Sequence, residues 1–344
     1  MPTHARSPRR TATVRTLAAS ALVVSTAGCS LAQGEAADGP AEDVTAEHLV
    51  QATEVHEETG MTLLEGPTFA PDGELRFVDV TAPEGEPKVL SLDTDSTELS
   101  GVYTDDEGSY TSAQFSPHDD RLYLTDFGGG RIVSVTPDGE DPEVFFSGEV
   151  EGERMFPDDL AFDEEGNMYV SDMAGFEEPA WEEKGRVVRV DHETAEAAVL
   201  ADELPPPNGI SFTEDFAGLW VGLYGANRVD HYELNGDGTE VATSHAAIHF
   251  DGGTSRIDSI AVDGDGNLYQ AIHGEPAMYV YSSLGEHLAT VRVPEEDAEG
   301  LYSATNVAIE PGTTDAYMTV SGDDGGHIYT FDALAEGVRQ SNGG

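Results

Sequence analysis

The chain has 344 residues, of which 67 are acidic and 16 basic, so its formal net charge at pH 7 is −51. This charge argues against a nucleic-acid-binding protein and against electrostatic attachment to anionic lipid, because both need exposed Lys and Arg. A hydrophobic content of 38% with 38 Gly and 18 Pro favours short strands and tight turns over long helices, and the single cysteine excludes an intramolecular disulfide.

The first 28 residues have the pattern of a secretory signal. Four Arg and no acidic residue accompany the apolar segment 17–24, which is too short for an ordinary transmembrane helix. The small residues TAG precede Cys29, the only cysteine, and resemble a bacterial lipobox. We therefore predict a lipoprotein-type signal peptide over 1–28 and lipidation of Cys29, which would place the protein outside the cytoplasm on the cell membrane. A plain secretion signal is the alternative.

The segment after the signal is rich in Ala, Gly, Asp and Glu and contains no aromatic residue. Such a segment has little apolar area to bury. We predict that residues 29–47 comprise the lipidated cysteine and a disordered acidic tether, and that residues 48–340 form the folded domain.

The rest of the chain repeats six times. The segments that carry a turn and a second strand are PDGELRFVDV, HDDRLYLTDF, EEGNMYVSDM, EDFAGLWVGL, GDGNLYQAI and GTTDAYMTV. Anchor residues in these strands are Leu75, Leu122, Met168, Leu219, Leu268 and Ala316, which are spaced by 47, 46, 51, 49 and 48 residues. Alternation and β-branched or aromatic content predict strands. A period near 48 with about four strands is typical of a propeller blade, so we predict an all-β, six-bladed β-propeller.

The chain before the first repeat offers a way to close the ring. The stretch from about residue 48 to 58 precedes the first repeat and can add an outer strand to the last blade. That pairing would leave no exposed sheet edge at the junction. A repeat solenoid is the rival architecture, but nothing in the sequence has the character of a capping unit.

A register argument identifies a candidate site. Counting back four positions from the last large apolar residue of each first strand gives Glu65, Thr111, Asp158, Asn208, Asp258 and Thr305. Repeat symmetry predicts that these positions form one ring at one mouth of the central channel. All six side chains carry oxygen, and converging carboxylate and amide oxygens are the ligands that a hard divalent cation such as Ca²⁺ prefers. The alternative is that polar residues start these strands because a channel mouth is wet.

Four spaced strings carry a family resemblance: LEGPTF, PDDLAFD, PNGI and IDSIAVD. Together they resemble the SMP-30/gluconolactonase/luciferin-regenerating-enzyme family, over about residues 55–338, and within it the lactonase-like branch. The resemblance implies a hydrolase that opens lactones at a divalent metal in the channel. Ca²⁺ is the metal favoured, with Zn²⁺ and Mn²⁺ as alternatives. The implied ligands are Glu65, Asp158, Asn208 and Asp258, with Ser259 as an additional one.

The residues suggest a mechanism and a possible substrate rim. Asp258 is placed to accept a proton from an attacking water and to return it to the leaving ring oxygen. Second strands end on the face where first strands begin, so Asp79, Asp126 and Asp172 would make one side of the mouth acidic. The equivalent positions in the last three repeats are apolar: Leu223, Ile272 and Val320. The alternative role for the three aspartates is hydrogen bonding in turns.

Two classes of function are consistent with these observations. The first is a metal-dependent lactonase that acts as a monomer on a small-molecule lactone, with no nucleic-acid partner and no membrane contact beyond the lipid anchor. The second is a non-catalytic propeller that binds a ligand or partner and uses calcium for structure, because a fold does not fix a function. Hydrolysis of lactones with and without a chelator distinguishes the two.

Overall fold

Almost every regular element of the protein is a β-strand. The computed structural model describes residues 1, 40–179 and 181–342. The predicted signal peptide and Cys29 lie outside the described residues. Two short 3₁₀ turns, Tyr224–Ala226 and Arg339–Ser341, accompany 27 strands among the described residues. The all-β prediction is therefore confirmed.

Four successive segments each form a separate four-stranded antiparallel sheet. The first two sheets contain β3 (Leu64–Phe69), β4 (Leu75–Asp79), β5 (Pro87–Leu92) and β6 (Leu99–Thr104), then β7 (Tyr110–Phe115), β8 (Leu122–Asp126), β9 (Arg131–Val135) and β10 (Glu143–Ser147). A small hairpin follows, made of β11 (Glu149–Val150) and β12 (Glu153–Arg154). The next two sheets contain β13 (Pro157–Phe162), β14 (Met168–Asp172), β15 (Gly185–Val190) and β16 (Ala197–Leu204), then β17 (Pro207–Phe212), β18 (Gly218–Leu223), β19 (Arg228–Leu234) and β20 (Val241–His249).

The remaining strands join in a nine-stranded sheet. Its members are β21 (Arg256–Val262), β22 (Leu268–His273), β23 (Ala277–Tyr281), β24 (His287–Arg292), β25 (Leu301–Ile309), β26 (Asp315–Gly322), β27 (Gly325–Asp332), β1 (Glu42–Thr45) and β2 (Glu47–Thr53). Short pairing between β22 and β25 links one meander, β21 to β24, with a second meander, β25 to β27. The second strands predicted from the repeats correspond to β4, β8, β14, β18, β22 and β26.

The first strands of these six units contact one another in turn. β3 contacts β7, β7 contacts β13, and the series continues through β17, β21 and β25 back to β3. Side chains from adjacent units fill the space between their sheets. Tyr123 packs edge-on against Phe162 at 5.4 Å, and Tyr169 packs against Phe212 at 4.8 Å between ring centroids. The core therefore lies between neighbouring sheets, where each large side chain contributes about 1.5–3 kcal/mol.

The two N-terminal strands pair with strands of the fifth and sixth units. β2 pairs antiparallel with β27, which confirms the prediction that the chain before the first repeat adds a strand to the last unit. β1 pairs parallel with β24. The prediction of a disordered tether over 29–47 is therefore wrong for residues 42–47. Ala46 is only 1% exposed and Val44 packs on the same apolar cluster, so this acidic segment does bury apolar surface.

The C-terminal segment, residues 333–342, crosses the ends of the first strands opposite the ring positions. The Phe69 backbone N–H donates to the Asn342 side-chain oxygen at 3.2 Å, and the Ser341 hydroxyl donates to the Val262 carbonyl at 2.6 Å. The folded domain thus extends to residue 342. Among the described residues, no helix has the length and hydropathy needed to cross a membrane.

Candidate active site

The candidate site is built where the first strands lose their register. Pairing with the second strand shifts between Glu65 and Thr68 in β3, and the same irregularity recurs at the matching place in the other first strands. Such bulges re-aim side chains and interrupt the alternation of an ordinary strand. Consecutive residues such as Asp258 and Ser259 are therefore both buried.

Gly66 permits a close approach beside the first ring position. Its φ is +53°, and a Cβ at this position would lie 2.5 Å from the Ala113 backbone nitrogen. No larger residue can be placed there without moving β3 away from β7. This glycine therefore fixes the backbone that carries Glu65.

The ring positions predicted from the repeats are neighbours in space. The Thr111 hydroxyl donates to the backbone carbonyl of Asp158 at 3.0 Å, which joins the second unit to the third. The Thr305 hydroxyl donates to the carbonyl of Leu64, next to Glu65, and joins the last unit to the first. Equivalent positions of successive units therefore face one another around the ring.

The four predicted ligands are buried and incompletely hydrogen-bonded. Exposures are 8% for Glu65, 6% for Asp158, 9% for Asn208 and 3% for Asp258. Within the described part of the chain, each has one buried oxygen without a hydrogen-bond partner: Glu65 Oε2, Asp158 Oδ2, Asn208 Oδ1 and Asp258 Oδ2. A single unsatisfied buried polar group costs about 1–3 kcal/mol, and more when it is charged. Four such oxygens in one site are chemically unusual for a purely structural cluster.

The carboxyl groups raise one another's pKa. Burial raises the pKa of Glu65 well above its usual range, and the nearby carboxylates raise it further in the order Asp258, Asp159 and Asp158. Burial raises the pKa of Asp158 to about 7. Burial and then Asp158 raise the pKa of Asp258, while a hydrogen bond with Asn208 opposes that rise. Acidic groups of three units therefore share one desolvated region, where a cation would offset their repulsion.

Asp159 is a site residue that the register argument did not select. It is 1% exposed, and its Oδ2 has no hydrogen-bond partner in the described residues. Burial and the charge of Asp158 raise its pKa well above the usual range, and a hydrogen bond with Ser259 opposes the rise. The signal in the sequence was the acidic pair of PDDLAFD. Ser259, a predicted ligand, is thus brought into the site beside Asp159.

The donor set fits a hard divalent cation by its chemistry. Three carboxylate oxygens and one amide oxygen are unpaired, and Ca²⁺ binds flexible sets of such oxygens. Across residues 40–179 and 181–342, no three His, Cys, Asp or Glu side chains are gathered as a preformed metal-binding group. The residues that would hold a cation are Glu65, Asp158, Asn208 and Asp258.

The three aspartates predicted to form a substrate rim are instead buried in structural hydrogen bonds. Asp79, Asp126 and Asp172 are at most 1% exposed. Asp79 lies 2.6 Å from the His56 ring nitrogen, and Asp126 accepts a hydrogen bond from the Arg131 Nε at 2.6 Å. The acidic rim is therefore a wrong prediction, because ends of strands that look exposed in sequence are covered by neighbouring loops. The turn-bonding role explains all three residues.

Two further side chains, Tyr224 and His273, lie near Asp258. Tyr224 follows β18, and its pKa is raised by burial and by the charge of Asp258. His273 ends β22, with its Nδ1 3.9 Å from Asp258 Oδ2 and its ring edge-on to Tyr224 at 5.9 Å. Burial lowers the pKa of His273. The sequence pattern missed both residues because they come from the ends of second strands, where the repeats do not match.

Comparison with known proteins decides the family. Residues 63–322 match the sequence profile of the SMP-30/Gluconolactonase/LRE-like region, and the match includes the first and second strands of all six units. The chain belongs to this family. The resemblance inferred from the four short strings is therefore confirmed.

Relatives within the SMP-30/gluconolactonase/LRE-like family include lactonases. The chain is 30% identical to Lactonase drp35 of Staphylococcus saprophyticus over 220 residues, which span 62% of this chain and 66% of the relative. It is 27% identical to Lactonase drp35 of Staphylococcus haemolyticus over 284 residues, which span 80% of this chain and 84% of the relative. The similarity to the lactonase-like branch is thus also confirmed.

Solved structures of the SMP-30/gluconolactonase/LRE-like family share the fold. Regucalcin of Agrobacterium tumefaciens, described as a calcium-binding protein, superposes with a TM-score of 0.67 at 16% identity. The match covers 88% of this chain and 99% of that protein. At this identity the likeness supports the fold alone.

Proposed function

We propose that the protein is a metal-dependent lactonase. The observation that carries the proposal is the set of four buried, unpaired oxygens contributed by Glu65, Asp158, Asn208 and Asp258. They come from four of the six units and lie at the matching register position. Lactonases among the relatives support hydrolysis of a small-molecule lactone.

The scaffold that we infer is a six-bladed β-propeller, with the ring positions at one mouth of its channel. Support comes from the closed series of contacts among the six first strands. The pairing of β2 with β27 also supports it, because a strand from the start of the chain then completes the last blade. The site would lie where the first strands enter the channel.

The residues of the chain suggest how hydrolysis would proceed. A divalent cation, when bound, supplies polarisation of the lactone carbonyl and a lowered pKa of water. Glu65, Asp158 and Asn208, together with Asp258, would hold the cation and fix its position. Asp258 Oδ2, which has no hydrogen-bond partner among the described residues, would accept a proton from the attacking water. The same oxygen would return that proton to the ring oxygen as the C–O bond breaks.

Ca²⁺ is the cation that we favour for this site. Its ligands here are oxygen atoms alone, without the imidazole or thiolate groups that Zn²⁺ usually takes. Zn²⁺ and Mn²⁺ are the alternatives that metal-replacement assays would identify.

Hydrolysis of a lactone panel with and without chelator tests the function. Wild-type turnover should disappear with EGTA and return with Ca²⁺. Asp258→Ala should reduce kcat by at least about a hundredfold, because a positioned acid–base group contributes roughly 10²–10⁴ in rate. Asp263→Ala is the matched control, since Asp263 is an equally buried aspartate just beyond the other end of β21.

The outcomes separate the two classes of function. The lactonase is supported if wild-type turnover is lost with chelator, if Asp258→Ala has no turnover, and if Asp263→Ala keeps it. Normal turnover by folded Asp258→Ala would refute the assigned role. Calcium binding without turnover of any lactone would favour a non-catalytic propeller that binds a ligand or partner.

We also propose that the protein is exported and attached to the membrane through Cys29. The Arg-rich start, the short apolar segment and the small residues before the only cysteine support this proposal. Wild-type protein expressed in bacteria should incorporate labelled palmitate and sediment with membranes, whereas Cys29→Ser should do neither. Unlabelled wild-type protein in the soluble fraction would contradict the anchor.

A further inference from the structure

The mouth of the candidate site has two chemically different sides. On one side Phe127, Phe156 and Phe176 form an aromatic cluster, with ring centroids 5.2–5.9 Å apart. All three lie at strand ends or loops on the face where the first strands begin. On the other side stand Tyr224 and Arg256, from the fourth and fifth units.

One cavity connects these two sides. It has a volume of about 170 Å³ and is lined by Phe176, Pro205, Pro206, Tyr224 and Arg256, among others. Its polar wall adjoins the site, because Arg256 lies two residues before Asp258 in β21. His273 also lies between the two, with its ring edge-on to Tyr224 at 5.9 Å and its Nδ1 3.9 Å from Asp258 Oδ2. A substrate held at Asp258 can therefore extend into this cavity.

The guanidinium of Arg256 keeps free hydrogen-bonding capacity. Its Nη1 donates only to the backbone carbonyls of Gly253 and Ser255, at 3.4 and 3.3 Å. Among the described residues, no carboxylate forms an ion pair with it. Arg131 and Arg186 near the same mouth differ, because each is paired with a buried aspartate.

The acidic residues that line this cavity are already accompanied by a cation. Glu178 and Glu182 lie 3.3 and 3.9 Å from the Lys184 Nζ. Arg256 is half-buried in a protein of net charge −51 and lacks such a counter-charge among the described residues. The Tyr224 hydroxyl likewise makes no hydrogen bond with any residue that the structure describes. A guanidinium beside a free phenol recognises a carboxylate well, because both donate to its oxygens.

We propose that the substrate is a lactone that carries both an apolar ring or chain and a carboxylate. The carboxylate binds Arg256 and Tyr224, and the apolar part packs against Phe176. This inference rests on the proposed lactonase function and adds its substrate class. It also replaces the acidic rim with a cationic subsite on the opposite side of the mouth.

A matched pair of lactones tests the subsite. γ-Phenyl-γ-butyrolactone and phenylparaconate differ only by a ring carboxylate. Calcium-loaded wild-type protein should hydrolyse phenylparaconate with the higher kcat/KM. Arg256→Met should lower kcat/KM for phenylparaconate about tenfold to a hundredfold, which is the loss expected for a charge-assisted hydrogen bond. The kcat/KM of Arg256→Met for the neutral lactone should stay within about threefold of the wild-type value. Arg292→Met is the control, because it removes the same charge from β24, at a position that does not line this cavity.

Binding keeps the subsite testable apart from hydrolysis. The two cyclopentanones in which a methylene replaces the ring oxygen cannot be hydrolysed, and calorimetry gives their affinities. The subsite is supported if the wild type binds the carboxylate analogue more tightly than the neutral one, and if this preference is lost in Arg256→Met but kept in Arg292→Met. This holds even if neither lactone is hydrolysed. In that case the proposed hydrolysis is rejected and the subsite is not. Equal affinity of wild-type protein for both analogues, or equal losses in both Arg variants, would overturn the proposal.

Discussion

At the scale of single residues, the buried aspartates divide into two kinds. Asp172 accepts hydrogen bonds from the Phe156 backbone and the Arg186 Nε, both at 2.7 Å. Asp258 is buried just as deeply but leaves Oδ2 without a hydrogen-bond partner among the described residues. Burial alone therefore does not distinguish a structural acid from a functional one. The two kinds differ in whether each carboxylate oxygen has a hydrogen-bond partner among the described residues.

Replacement of Asp172 tests this distinction. Asp172→Asn leaves the buried Arg186 without a full counter-charge, so the free energy of unfolding should fall by about 3–5 kcal/mol. Urea denaturation measures the loss. Below the unfolding transition, kcat should stay within about threefold of wild type, because Asp172 does not face the substrate. Unchanged stability with lost activity would restore the substrate-rim role.

Most of the candidate site, but not all of it, can be predicted from the sequence. Glu65, Asp158, Asn208 and Asp258 were identifiable because repeat symmetry places equivalent positions on one ring. Asp159 was not selected, because strict strand alternation would point it away from its neighbour. The bulge that turns both side chains inward is a tertiary feature, stabilised by contacts between adjacent first strands.

At the scale of elements, the N-terminal strands show where sequence patterns reach their limit. β2 was predictable because a ring of repeats needs a closing strand. β1 was not, because two of its four residues are acidic and only Val44 packs on the core. The composition of this segment predicted disorder, but backbone pairing with β24 holds it as a strand. Local propensity is weak evidence for a segment whose partner lies more than 200 residues away in the sequence.

The closing strand carries a pH-sensitive contact. The ring nitrogens of His48 in β2 and His327 in β27 lie 3.1 Å apart. Burial lowers the pKa of His327, and His48 lowers it further, although Asp324 opposes this shift. The unfolded chain therefore binds a proton at His327 more readily than the folded chain does. This contribution to stability is fully present above about pH 6.5, the ordinary pKa of a histidine, and is lost as the pH falls below it through the lower pKa of His327 in the folded chain.

Stability measured at two pH values tests this contact. The free energy of unfolding is measured in urea at pH 7.5 and pH 5.5 for the wild type and for His327→Gln. On going to pH 5.5, the wild type should lose more stability, or gain less, than His327→Gln, because the carboxyl groups titrate alike in both proteins and only the wild type carries His327. His245→Gln is the control, because His245 lies on the exposed outer strand β20. An equal change in stability of wild type and His327→Gln would exclude His327 as a titrating group that affects stability.

At the scale of the whole molecule, the charge of −51 divides into two parts. A small number of carboxylates are buried at the site, and most of the remainder lie on the surface, where few cations accompany them. Such a surface keeps a protein soluble but repels itself. Salt screens charges separated by more than the Debye length, which falls from about 30 Å at 0.01 M to about 3 Å at 1 M.

Stability should therefore rise with salt. Between 0.05 M and 1 M NaCl, with Ca²⁺ constant, we expect Tm to increase by at least about 5 °C, because 1 kcal/mol corresponds to roughly 2–4 °C in domains of 150–250 residues. Differential scanning calorimetry measures the change. A Tm that stays constant or falls would show that surface repulsion contributes little to the stability of this fold.

We propose above all that the buried oxygens of Glu65, Asp158, Asn208 and Asp258 bind one divalent cation. Calorimetric titration of Ca²⁺ into the chelator-treated full-length protein tests it most directly, with the double variant Glu65→Gln/Asp158→Asn beside the wild type. We predict one tight site in the wild type, above the weak binding of an acidic surface, and the loss of that site alone in the double variant. Identical isotherms for the two proteins would contradict the claim.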